Sequence, residues 1–199
     1  MVVNELDTFV KRTQAIILVP TREAAQTTYK LVSASATASV ITHLSVGGTN
    51  AREDIKRLRE RPHVVVGTTG RLSDMIKRKV IDPNGIKFLC VDGIRHLLSA
   101  TYEKEFAEFC ERLPKDIQLV LLPTKTRYRT PHDFSKFFIR EPLHFLVKED
   151  PTLEPSVTLH NPEPVDVDSN QIGDTTDVVR LLVCAFTKSR ATAYVHAGK

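Results

Sequence analysis

No apolar run in this 199-residue chain approaches the ~20 residues that a bilayer-spanning helix needs. The amino terminus, Met1 to Asp7, lacks the basic and long apolar regions of a secretory signal, so a cytoplasmic or nuclear location is expected. The three cysteines, Cys90, Cys110 and Cys184, are far apart and form no C-x-x-C pair. Neither a disulfide framework nor a zinc site is indicated, and each reads as a small buried hydrophobe. Seven histidines show no H-E-x-x-H or comparable metal spacing, and no G-x-S-x-G elbow is present. There is no internal repeat. The composition is that of an ordinary globular protein, 41% hydrophobic and 26% charged. A chain of this length can bury one core, with roughly 70% of its unfolded surface removed from water. The net charge of +4 leans mildly toward a polyanionic partner.

What is present is an alternation of short apolar runs and amphipathic segments. Ala15-Ile16-Ile17-Leu18-Val19, stopped by Pro20, reads as a strand buried on both faces, which implies a parallel sheet. Further strands are expected at 40–46, 63–66, 88–91, 118–122 and 144–147, and helices at 22–35, 50–61, 71–79, 103–112 and 133–138. The helix at 50–61 is strongly polar around Ile55 and Leu58, and Glu53 with Arg57 makes a favourable i,i+4 pair. This order gives an α/β fold, an open parallel sheet flanked by helices. From 149 to 173 four prolines and many acidic residues read as a linker with one strand at 157–159. Asp174 caps an expected helix to 186, and 191–196 reads as a final strand.

Three strand ends carry small residues and donors. Pro20-Thr21-Arg22 opens a helix whose free N–H groups favour an anion. Gly47-Gly48-Thr49-Asn50 permits close backbone approach, and Thr68-Thr69-Gly70-Arg71 repeats the design. Each alone is equally an ordinary helix start or tight turn. Together they lie on the rim where ligands of α/β folds bind. Such donors suit a nucleic-acid backbone, not base edges. The basic run Lys77-Arg78-Lys79 reads as a solvated helix end, and Arg127 with Arg129 as a candidate basic surface.

The fourth strand ends in a single carboxylate, Asp92, followed by Gly93, Ile94 and Arg95. A nucleotide-hydrolysing α/β protein holds its magnesium carboxylate and catalytic acid at such a strand end. None of the three residues that follow can ligate a hard cation.

In order and spacing these segments resemble the DEAD-box RNA helicases, closest to the translation-initiation-factor members. Pro20-Thr21-Arg22-Glu23 stands where the family has P-T-R-E-L-A. Gly47-Gly48 matches its double glycine, and Val66-Gly67-Thr68-Thr69-Gly70-Arg71 resembles V-G-T-P-G-R, with Thr69 in place of proline. Phe145-Leu146-Val147-Lys148 and Thr152-Leu153-Glu154 resemble the end of the family's first domain and the join to its second. The resemblance implies a RecA-like first domain over 1–148, a linker over 149–173, and a truncated start of a second RecA-like domain over 174–199. It implies that Pro20, Thr21, Arg22, Gly47, Gly48, Thr68, Gly70 and Arg71 bind RNA phosphates.

The departures shape the functional expectation. D-E-A-D becomes Asp92-Gly93-Ile94-Arg95, S-A-T becomes Pro123-Thr124-Lys125, and no G-x-x-x-x-G-K-[ST] loop occurs. The expectation is a chain that is not an enzyme: it binds RNA weakly and without sequence preference, with ATP and magnesium lost and Asp92 vestigial. The alternatives are a module that binds a helical-repeat scaffold of translation or RNA processing, and a partial chain of an ATP-dependent RNA helicase. Because the family's loop-bearing strand is central to its sheet, either 1–13 or the final strand at 191–196 is expected to cover the exposed edge.

Overall fold

The computed structural model describes residues 6–99, 101–122 and the strands at 143–148, 156–159 and 193–198. The helices expected at 133–138 and 174–186, the Pro123-Thr124-Lys125 motif and Arg127 with Arg129 lie outside these residues.

The apolar runs become strands, and the amphipathic segments between them become helices. In chain order they are β1 (Ala15–Leu18), α1 (Arg22–Ser35), β2 (Thr42–Ser45), α2 (Ala51–Arg59), β3 (Val64–Gly67), α3 (Thr69–Lys77), β4 (Phe88–Asp92), α4 (Ile94–Leu97), α5 (Glu103–Glu111) and β5 (Gln118–Leu122). Three strands follow: β6 (Leu143–Lys148), β7 (Ser156–Leu159) and β8 (Ala193–Gly198). A 3-10 turn, Pro83–Gly85, precedes β4. The four-residue α4 was not foreseen from the sequence.

All eight described strands belong to one sheet, in the order β2-β3-β1-β4-β5-β8-β6-β7. Every neighbour is parallel except β6 and β7, which are antiparallel. The register is continuous across the middle: Ile16 lies opposite Val65 on one side and Leu89 on the other.

The period-2 alternation of the strands divides the core into two faces. Ile16, Leu18, Val65, Leu89, Val91, Leu119 and Leu121 share one cluster with Leu58 of α2, Leu72 and Met75 of α3, and Phe106 and Phe109 of α5. Their neighbours in the strands turn the other way. Val66 packs with Val19, Ala25 and Val46, and Ala15 with Leu6, Val40 and Val64. Strands covered on both faces must be apolar at nearly every position, which is why these runs are continuous and do not alternate.

The residues at 6–13 form no strand. Leu6 packs against Val40 and Val64, and the buried Gln14 amide donates to the carbonyls of Asp7 and Val10. Side-chain packing and these bonds, with the Asp7 N–H to Gln14 Oε1 and the Thr13 hydroxyl to Pro62 O, hold the segment, and it pairs with no sheet edge. The last strand, expected at 191–196, forms instead as Ala193–Gly198 and lies between β5 and β6.

Candidate nucleic-acid interface

Strands β2, β3 and β1 are adjacent and parallel, so their carboxyl ends open on the same rim. Each runs through a short turn into a helix: β1 into α1, β2 into α2, β3 into α3. At Thr21 the hydroxyl oxygen accepts the Ala24 N–H at 3.1 Å and caps α1. At Asn50 the amide oxygen accepts the Arg52 N–H at 3.0 Å and caps α2. Thr68 precedes α3 without a side-chain cap, so the first N–H groups of that helix keep their donor capacity.

The double glycine has a steric reason. Gly48 adopts φ +81°, and a β-carbon there would stand 2.3 Å from the Arg22 guanidinium. Arg22 therefore lies across the Gly47–Gly48 turn, with its charged end exposed. The structure brings Arg22, Gly47 and Gly48 together. Pro20 instead faces the β4 end, where a β-carbon on Gly93 would meet its ring at 3.1 Å.

Behind the glycine turn sits a buried polar cluster that the sequence did not disclose. The Asp54 carboxylate, on α2, is almost fully enclosed. Its Oδ1 lies 2.6 Å from His43 Nε2, and its Oδ2 accepts Ser45 Oγ at 2.9 Å and Arg71 Nη1 at 2.6 Å. Burial pushes the Asp54 carboxyl up, but bonds from His43, Arg71 and Ser45, with the nearby His43 charge, outweigh it and hold it below the usual carboxylate value. Arg71 also donates to the Thr49 carbonyl at 2.9 Å and to its hydroxyl at 3.3 Å. Thr49 Oγ1 in turn donates to Val46 O at 2.8 Å.

The expected solvated face of α2 needs correction at two points. Asp54 reads from the sequence as part of that surface but lies inside. On the solvated side the ion pair joins Arg57 to Glu60, the C-cap, at 3.5 Å, where Glu53 and Arg57 were expected. The signal for Asp54 was its spacing: it stands one turn before the buried Leu58 and so shares the inner face.

At the end of β4, burial raises the Asp92 carboxyl above its ordinary value, with the Gly93 amide pulling the other way. Gly93 has φ +71° and donates its N–H to Leu122 O at 2.8 Å, tying this turn to β5. Among the described residues no three or more His, Cys, Asp or Glu side chains gather as a metal site. Asp92 alone suits a magnesium ion that keeps its waters and takes its remaining ligands from phosphate.

An open, mainly parallel sheet with helices on both faces and short strand-to-helix turns on one rim is a RecA-like α/β domain. The chain belongs to the DEAD/DEAH box helicase family, whose model matches residues 1–133. It is similar to the ATP-dependent RNA helicase eIF4A of Mycosarcoma maydis, 40% identical over 150 residues that cover 75% of this chain and 36% of the relative. Eukaryotic initiation factor 4A of Drosophila melanogaster is 39% identical over 155 residues, covering 77% and 38%. The chain thus spans little more than a third of the length of these relatives. Among solved structures, a DEAD box protein from the hyperthermophile Methanococcus jannaschii shares the fold. Its TM-score is 0.60 at 23% identity, over 68% of this chain and 36% of that one. S. cerevisiae Dbp5 bound to RNA and ADP BeF3 gives 0.55 at 26% identity, over 62% and 31%.

These relatives correct the expectation that the chain is not an enzyme. The family is enzymatic, and the relatives are named as ATP-dependent RNA helicases. That expectation rested on the altered Asp92-Gly93-Ile94-Arg95 and Pro123-Thr124-Lys125 motifs and on the lack of a G-x-x-x-x-G-K-[ST] loop in this sequence. The relatives build the activity from a chain of which this one spans little more than a third.

Proposed function

We propose that this chain is the RNA-backbone-holding portion of an ATP-dependent RNA helicase of the initiation-factor type. The observation that carries the reading is the position of Arg22. Its exposed guanidinium lies over the Gly47–Gly48 turn, on a rim shared with the Thr68–Gly70 turn. A cation flanked by backbone N–H groups at helix starts matches a row of phosphates and reads no base. Thr21, Arg22, Gly48, Thr68 and Gly70 form this contact line; Pro20 and Gly47 shape its turns. Relatives named as RNA helicases and a structural neighbour solved with RNA support the same ligand class.

Asp92 is the residue that would hold the family's magnesium, whose chemistry is to neutralise phosphate charge as it develops. This strand end contributes a carboxylate and a rigid turn beside it.

Fluorescence anisotropy with a labelled single-stranded oligoribonucleotide tests the reading. Binding is expected to be independent of base sequence and to weaken steeply with salt. Binding that survives high salt, or no binding at low salt, would reject it.

A further inference from the structure

Arg22 and Arg71 look equivalent in the sequence, each following a strand end with small residues. The structure gives them opposite surroundings. Arg22 is exposed, and among the described residues it enters no ion pair. Arg71 has 9% of its side chain exposed and faces a carboxylate that is 4% exposed. Its Nη1 spans to Asp54 and its Nη2 to the Thr49 carbonyl.

The geometry points to Arg71 as a positioning residue for the RNA site, not a phosphate contact, with Asp54 as its anchor. This inference rests on the RNA reading above and assigns the parts within it. The guanidinium fork ties the first turn of α3 to the turn between β2 and α2. Thr49 is gripped from both sides, by Arg71 and by its own bond to Val46 O. Gly48, the residue under Arg22, is the next residue back along the chain. The strut therefore sets where the glycine turn stands and, through it, where Arg22 rests.

Two physical arguments separate the roles. A guanidinium already paired with a buried carboxylate neutralises no phosphate, so it displaces no cation from the RNA and adds nothing to the salt dependence of binding. Turning Arg71 outward would strand the Asp54 charge in a low-dielectric interior, at a cost that one phosphate contact does not recover. A lysine at position 71 would keep the charge but lose the planar fork that reaches two acceptors at once.

The test is RNA affinity against salt for the full chain and its variants, using a labelled single-stranded oligouridine. For Arg22→Ala the slope of log affinity against log salt should fall in magnitude by about 0.7, the share of one phosphate contact on a single strand. For Arg71→Lys and Asp54→Asn, affinity should drop by the same factor at every salt, with the slope unchanged. Hydrogen exchange read alongside should show faster exchange confined to residues 47–50 in Arg71→Lys. Arg71→Lys binding as tightly as the unaltered chain, with unchanged exchange at 47–50, overturns the inference. So does an Arg71→Ala slope that falls as far as that of Arg22→Ala. A slope that Arg22→Ala leaves unmoved, or an unaltered chain that does not bind, overturns the RNA reading itself.

Discussion

Gly93 turns with φ +71° directly beneath the Pro20 ring, where a β-carbon would stand 3.1 Å from Cγ and 3.2 Å from Cδ. Two strand ends, β1 and β4, are thus fitted together at one residue without a side chain. The left-handed conformation costs an L-residue roughly 1–2 kcal/mol, and a β-carbon would also crowd the ring. Gly93→Ala should lower stability by at least that amount, and Gly93→Glu should do the same. Urea unfolding checks both; a midpoint equal to that of the unaltered chain would mean the turn relaxes freely.

Asp54 should be the most costly polar residue to remove. Truncation to Ala leaves Arg71 without its carboxylate partner and Ser45 and His43 without their shared acceptor, a loss of about 3–5 kcal/mol. Its pH dependence has a defined sign. The folded state holds this carboxyl below its ordinary value of 3.8, so its contribution is fully present above that pH and lost as pH falls through the lowered value. Stability curves of Asp54→Asn and the unaltered chain should run parallel from pH 7 down to about 4 and converge below it. Urea midpoints across that range provide the reading.

The thiols of Cys90 and Cys110 should resist alkylation in the folded protein. Burial, with Asp92 nearby, pushes Cys90 up to about 12; burial, with Glu111 nearby, does the same to Cys110. The reactive thiolate is then nearly absent at neutral pH. Iodoacetamide labelling at pH 8, mapped by peptide mass, should mark neither residue until denaturant is added.

The seam between β5 and β8 can be read chemically. Val120 and Ala193 are register partners there. Paired cysteines at such positions fall within disulfide reach. A Val120→Cys, Ala193→Cys variant should close an intramolecular disulfide under mild oxidation. Disulfide-linked dimers would show that β8 comes from a second copy, and no crosslink would show that the slot is filled otherwise.

Much of the fold was legible because it rests on local pattern. β1, β3, β4 and β5 are continuous apolar runs closed by Pro, Gly or Asp, and no other element explains such runs at such short length. The N-cap at Thr21 and the turn at Gly48 were equally plain, since each uses the one residue type its geometry favours. The Asp54 cluster was hidden because its members come from β2, α2 and α3, and only the sheet brings them together. Arg71 shows the same limit. Its neighbours in the chain suggested a phosphate ligand, whereas its neighbours in space are a carboxylate and a carbonyl. The expectation that the chain is not an enzyme failed for a related reason: altered motifs and an unseen loop, in a chain that spans little more than a third of its relatives' length, were weighed as if they spoke for the whole assembly.

The order of strands also has a mechanical consequence. Among the described residues, β6 and β7 reach the rest of the sheet only through β8. β8 meets β6 from Leu143–Ala193 through Lys148–Gly198, but meets β5 only at Val120–Ala193 and Leu121–Tyr194. The sheet is therefore a set of links in series with one short link. Under tension across the sheet, rupture should begin at that link, releasing β8, β6 and β7 as a single ribbon while the five-stranded body keeps its shape.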